Sequence, residues 1–144
     1  MSYLTESDIV EIQNSVRLLS ISEVDDVSHY LFDSHIEEYN EFLKIAKKFY
    51  DLNISKTFLL IHKKTSELLA YMTLSADSIK LTNEEKQLHD ISKVPYASIP
   101  ALKVGKLAVN KEMSDTAKRK GYGSFMLDMA RAFAFSMNEI GIAC

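Results

Sequence analysis

Two of the chain's four glycines, Gly121 and Gly123, stand one residue apart in the stretch KRKGYGS (118–124). Before it runs LKVGKLAV (102–109), which reads as a strand. After it comes FMLDMARAFAF (125–135), with apolar residues at helical spacing. A strand joined through a short loop and these glycines to a helix fits a sheet with a helix packed back on it. Without a Cβ, the two glycines serve either of two ends. The first is a plain tight turn. The second is a cradle: successive backbone N–H groups converge on an anion at a helix N-terminus, where the dipole favours negative charge. Lys118, Arg119 and Lys120 add attraction for phosphate in that reading. The stretch is not G-x-G-x-x-G, since Met126 occupies the third glycine's place, and it lacks the Gly-Lys-Ser/Thr end of a Walker loop. A dinucleotide or ATP site is therefore not indicated.

The other segments supply the sheet. VRLLSIS (16–22) reads as a strand, and SEVD (22–25) matches a Ser-x-x-Asp helix-starting box. Ile36, Tyr39, Phe42, Leu43, Ala46, Phe49 and Tyr50 recur at three- and four-residue steps, which predicts a helix ending near 51–53. TFLLIH (57–62) and ELLAYMTLSA (67–76) flank the polar KKTS and read as a hairpin. Residues 82–98 are polar and mixed, irregular with a helical turn. In ALKVGKLAVN (101–110), Leu102, Val104, Lys106 and Ala108 alternate against Lys103, Gly105, Leu107 and Val109, with Gly105 marking a bulge or a close backbone approach. The later helix gathers Phe125, Met126, Met129, Ala130, Phe133 and Met137 on one face, and IGIAC (140–144) starts a further strand. The expectation is one domain over residues 1–144, α/β (α+β), with a mixed, mostly antiparallel sheet flanked by helices.

Composition narrows the function classes. A net charge of -3 argues against a non-specific nucleic-acid binder, which carries an excess of Lys and Arg. The one cysteine, Cys144, permits neither an internal disulfide nor a Cys-based zinc site, which fits a reducing, cytoplasmic setting. No basic-then-apolar signal segment and no apolar run of about 20 residues is found, so no membrane role is expected. His29, His35, His62 and His89 lack metal-ligand spacing and read as surface or helix-face residues; no metal is expected. The acidic runs at 23–26, 37–38 and 84–85 read as solvated helix faces. Ser75, Ser78 and Ser124 have no His and acid partners at recognisable spacing, which argues against a serine hydrolase.

GKLAVNKEMSDTAKRKGYGSFMLDMA (105–130) resembles the acetyl-CoA-binding core of the GNAT superfamily of N-acetyltransferases. In that family a strand ending in a pattern such as LAV leads to a loop with (Gln/Arg)-x-x-Gly-x-(Gly/Ala), which opens a helix. Lys118-Arg119-Lys120-Gly121-Tyr122-Gly123 fills the frame, with lysine in place of the first Gln or Arg. KTFLLIHKKTSELLAYMTLSADSI (56–79) resembles the central hairpin of a branch that includes tRNA-directed acetyltransferase toxins, so the resemblance covers residues 16–144. It implies acetyl-CoA as co-substrate and a primary amine as acceptor, with tRNA disfavoured by the net charge. It implies that the backbone of Leu107, Ala108 and Val109 pairs with the pantetheine arm, and that the N–H groups of Arg119 to Ser124 hold the pyrophosphate. A backbone N–H near Val109 would stabilise the oxyanion. Such proteins continue past their fifth strand into a helix and two more strands, which supply a tyrosine general acid. This chain stops at IGIAC, so a C-terminally shortened fold is expected and no general acid or base is assigned. A shortened protein that binds CoA without turnover is the alternative. Ile140 and Ile142, on an unpaired edge beside Met126, Phe133 and Met137, predict a two-fold homodimer.

Overall fold

The protein is described by a computed structural model over residues 4–80, 82, 84 and 98–137. Helix α1 (Glu6–Ser15) opens on a capping box. The Thr5 hydroxyl accepts the Asp8 N–H at 3.1 Å, and the Asp8 carboxylate accepts the Thr5 N–H at 3.2 Å. Each bond satisfies an end-group donor that the helix itself leaves free. Strand β1 (Val16–Ser20) follows at once. The expected box at Ser22 and Asp25 is displaced: Ser20 and Glu23 form it, and it opens only a 3₁₀ turn at Ile21–Glu23. A second such turn spans Val27–His29.

Helix α2 (Glu37–Asp51) lies where its periodicity places it, burying Phe42, Leu43 and Ala46. Strands β2 (Lys56–His62) and β3 (Leu68–Lys80) form the expected hairpin, and β4 (Ser98–Val109) pairs with β3. Helix α3 (Tyr122–Met137) closes the described chain. The strand order is β1-β2-β3-β4, and every described pair is antiparallel. The parallel member of the expected mixed sheet was IGIAC; it lies outside the described residues, as do His89, Cys144 and nearly all of 82–97.

The sheet is covered on both faces, so β2 and β3 read as almost unbroken apolar runs. On one face, Ile12 of α1 and Tyr122, Phe125, Met126 and Ala130 of α3 pack with Val16, Leu60, Ala70, Met72 and Leu74. On the other, Phe42, Leu43 and Ala46 of α2 pack with Leu59, Ile61, Tyr71 and Ala108. Tyr71, fully buried, donates its hydroxyl to the Tyr39 carbonyl at 2.7 Å and ties the start of α2 to the sheet. Of the α3 face expected to lie partly open, Met126 is fully buried, while Phe133 stays half-buried with its ring 5.5 Å from that of Phe58. Met137's side chain lies outside the described residues.

Gly105 is the bulge its sequence position foretold. Thr73 pairs with Lys106 and Leu74 with Val104, which leaves Gly105 as the extra residue. Next to it, the Lys106 N–H donates to the Thr73 hydroxyl at 2.8 Å. One inserted residue shifts the side-chain alternation by one step. The expected face of Leu102, Val104, Lys106 and Ala108 is corrected accordingly. Leu102 and Val104 join Leu107 and Val109 against the α1/α3 core, while Ala108 crosses to the α2 core.

Candidate functional site

A concave pocket of about 470 Å³ forms where β4 ends and α3 begins. Val109, Asn110, Lys111 and Met113 line one side, and Lys118 to Gly123 the other. Folding thus brings together the two stretches that the sequence separates by eight residues.

Along β4, the Asn110 N–H donates to the Leu69 carbonyl at 2.8 Å. Backbone groups in an antiparallel ladder alternate between the partner strand and the opposite side. Ala108, two residues back and paired with Tyr71, therefore also spends its backbone groups on β3. Leu107 and Val109 point theirs outward, along the edge of β4 that carries no partner among the described residues. Of the three residues expected to form a ligand edge, Leu107 and Val109 turn their backbone groups to the open side of β4, and Ala108 turns its own towards β3.

Helix α3 makes its first bond from the Phe125 N–H to the Gly121 carbonyl at 2.9 Å. The N–H groups of Tyr122 and Gly123 precede that bond and have no partner within the helix. Gly121 has φ +104°, a left-handed conformation that disfavours a side chain. A Cβ there would meet Leu4 Cδ2 at 2.6 Å and Ile12 Cδ1 at 3.6 Å. A Cβ on Gly123 would lie 3.3 Å from Val109 Cγ2. The first glycine is fixed by turn geometry and the underlying α1, the second by close approach of α3 to β4. A Cβ at Gly121 would point towards Leu4 and Ile12, and one at Gly123 towards Val109.

The loop is held from several sides. Ser114 donates its N–H and hydroxyl to the two Glu67 carboxylate oxygens at 2.8 and 2.6 Å. These bonds hold the Glu67 carboxyl below the ordinary carboxylate range. The Ala117 and Lys118 N–H groups return to the Ser114 carbonyl at 3.1 and 2.8 Å. Tyr122 is buried and gives its hydroxyl to the Ala117 carbonyl; burial raises its pKa. Its side chain therefore belongs to the scaffold. Arg119 extends to α1, pairing with Asp8 at 3.4 Å and Glu11 at 3.1 Å. Lys118 and Lys120 are exposed, and Ser124 is half-buried in the first turn of α3.

Asn110 is the pocket residue the sequence reading passed over. It is 1 % exposed and bonds through both ends of its amide. Its Oδ1 accepts from Asp33 and Glu112 N–H groups at 3.1 and 3.0 Å, and its Nδ2 donates to the Leu31 and Leu68 carbonyls at 2.8 Å each. The one available signal was its place immediately after LAV. Through Asn110 the segment 31–35 is drawn to the end of β4, with the Lys111 N–H adding a 2.8 Å bond to the Asp33 carbonyl. Asp33, His35 and Glu112 consequently gather their ligand atoms within 4.8 Å. Spacing along the chain could not reveal this, since His35 and Glu112 are 77 residues apart. His62 departs from its expected surface position: it is 7 % exposed, and its Nδ1 accepts the Lys64 and Thr65 N–H groups of the hairpin turn.

An antiparallel sheet covered by helices on both faces, with a glycine loop opening a helix beside an outward-facing strand end, is the fold of the GNAT-like toxin acetyltransferases. Among solved structures, the chain is similar to a point mutant of KacT at 26% identity and a TM-score of 0.65, over 89% of this chain and 74% of that one. It is similar in fold to AtaT complexed with acetyl-methionyl-tRNAfMet, at 19% identity and a TM-score of 0.67, over 88% of this chain and 74% of that one. The AtaTR structure bound with AcCoA matches at 21% identity and a TM-score of 0.67, over 90% of this chain and 74% of that one. No protein-family model matches the sequence, and no curated protein does. Among the described residues, no helix is long and apolar enough to cross a membrane.

Proposed function

We propose that this chain is an acetyl-CoA-dependent N-acetyltransferase that moves the acetyl group to a primary amine by direct attack. The observation that carries the reading is the pairing of two backbone features around one pocket. The outward polar groups of Leu107 and Val109 offer a short strand edge to an amide-bearing pantetheine arm. The N–H groups at the mouth of α3, around Gly121 to Gly123, offer donors to a pyrophosphate. Exposed Lys118 and Lys120 add positive charge at the rim. An acetyl thioester, when bound, supplies an activated acyl carbon. In this arrangement the Val109 N–H faces the thioester carbonyl and stabilises the negative charge that builds there as the amine attacks. The bound molecule in the AtaTR structure is AcCoA, which supports the same co-substrate here.

Beside the pocket, the Asn110 amide holds the backbone of Leu31, Asp33 and Glu112 at the end of β4. The two tyrosines buried closest to β4 are not available to protonate a departing thiolate, because Tyr71 and Tyr122 give their hydroxyls to backbone carbonyls. The proposal includes a cytoplasmic setting and a homodimer, whose motivating residues Ile140 and Ile142 lie outside the described residues.

The test is calorimetric titration with acetyl-CoA, followed by release of free CoA thiol over a panel of small amines, peptide amines and aminoacyl-tRNA. Binding with amine-dependent thiol release is the expected result. Binding without release on any acceptor would leave a CoA-binding module, and no binding would refute the pocket. Sedimentation as a stable monomer at tens of micromolar would remove the dimer.

A further inference from the structure

Arg119 stands second in the basic triplet that precedes the glycines, where a phosphate contact would be the simple reading. Its guanidinium is engaged elsewhere. Nη1 meets Glu11 at 3.1 Å, Nη2 meets Asp8 at 3.4 Å, and Nε donates to the carbonyl of Lys120 at 3.4 Å. The side chain is 26% exposed, against 40% and 66% for its two acidic partners. All three guanidinium nitrogens thus face α1 or the loop's own backbone.

The third contact has a geometric consequence. A trans peptide is planar, and its C=O and N–H point in opposite directions. The Lys120 carbonyl and the Gly121 N–H belong to one peptide unit. When Arg119, anchored on α1, holds that carbonyl on its own side, the N–H on the other edge is turned the opposite way. Gly121 tolerates this orientation because its φ is +104°. Lys120 and Gly121 both line the pocket, so the peptide sits at its wall.

Resting on the anion-binding reading of this pocket, we propose that Arg119 is a positioning residue: with Asp8 and Glu11 it orients the Lys120–Gly121 peptide so that the Gly121 N–H serves the bound phosphate. The N-terminal helix thereby becomes part of the binding apparatus without touching the ligand. The acids matter as much as the arginine, because they keep the guanidinium in place.

The charges make the test diagnostic in sign. Replacing Asp8 with Asn and Glu11 with Gln removes two negative charges and frees an arginine. If Arg119 were a phosphate ligand held back by those acids, acetyl-CoA would bind more tightly. The positioning role requires weaker binding, by about ten-fold, the loss expected when one hydrogen bond to an anion is misdirected. It also requires a melting temperature within a few degrees of the unmodified protein, since surface ion pairs contribute little to stability and an asparagine amide oxygen can still accept the Thr5 N–H of the capping box. In ligand-free protein, amide order parameters at residues 119–122 should fall from about 0.85 toward 0.6. Arg119→Lys, which keeps the charge but loses the three-way fork, should reproduce both effects in milder form and serves if the double variant does not fold. Tighter or unchanged binding in the acid variant would overturn the proposal. So would an Arg119→Ala protein whose affinity loses the salt dependence of one phosphate contact. Should the unmodified chain bind no acetyl-CoA, the pocket reading fails, while the order parameters still decide whether Arg119 orders the loop.

Discussion

Replacing Gly121 with Ala tests whether the loop is shaped by α1 beneath it. Two costs follow from the structure. Holding a residue with a side chain in left-handed conformation costs about 1–2 kcal/mol, and Gly121 sits at φ +104°. The added Cβ would lie 2.6 Å from Leu4 Cδ2, the far end of a flexible side chain. Moving that methyl off its preferred rotamer costs about 0.5–1.5 kcal/mol. Against these stands a gain of about 0.4–1 kcal/mol from the reduced freedom of the unfolded chain. The net expectation is a destabilisation of roughly 0.5–3 kcal/mol by urea unfolding, or a fall of a few degrees in Tm. A double-mutant cycle with Leu4→Ala separates the parts. Removing the Leu4 methyls relieves the overlap and leaves the backbone cost, giving a favourable coupling of about 1 kcal/mol. A loss below about 0.5 kcal/mol for Gly121→Ala, with no coupling to Leu4, would refute the account.

Asn110→Ala removes a buried amide with four bonds, one of them to the buried Leu68 carbonyl; it should cost about 3 kcal/mol in urea unfolding. Tyr122→Phe deletes the hydroxyl bond to the Ala117 carbonyl, which should cost about 1 kcal/mol and measurably weaken acetyl-CoA in calorimetry. The depressed pKa of Glu67 gives a pH signature, because its partner bonds favour the ionised form. That contribution is fully present above the unfolded-state value of about 4.3 and is lost as pH falls through the depressed folded value. The stability gap between the protein and its Ser114→Ala variant should therefore be widest near neutrality and shrink in acid; a gap that grows in acid would contradict the assignment.

The expectations that the structure matches share one property: they rest on short-range regularities. The α2 stripe from Tyr39 to Tyr50 repeats with the helix, the two apolar runs around KKTS repeat with a strand, and each period is written within a dozen residues. Gly105 announced a bulge because a residue without a side chain weakens a strand unless backbone geometry requires it. The glycine loop was legible for the same reason. Helix α1 escaped although its capping box, Thr5 to Asp8, is in plain view, because only Ile12 of its ten residues is fully buried and so few core positions mark no clear period.

Tertiary structure alone decided what each loop residue does. The bulge moved Ala108 to the α2 face and left Leu107 and Val109 facing the open edge, a result that depends on register with β3 and on no local pattern. Arg119 lies in a basic run, yet its partners are 108 and 111 residues away, on a helix that only the fold brings beneath it. Asn110 looked like an ordinary loop residue until three separated segments converged on its amide. A side chain's period is set by its own backbone, so sequence displays it; a partner is set by the packing of distant elements, and no local pattern records which element will arrive.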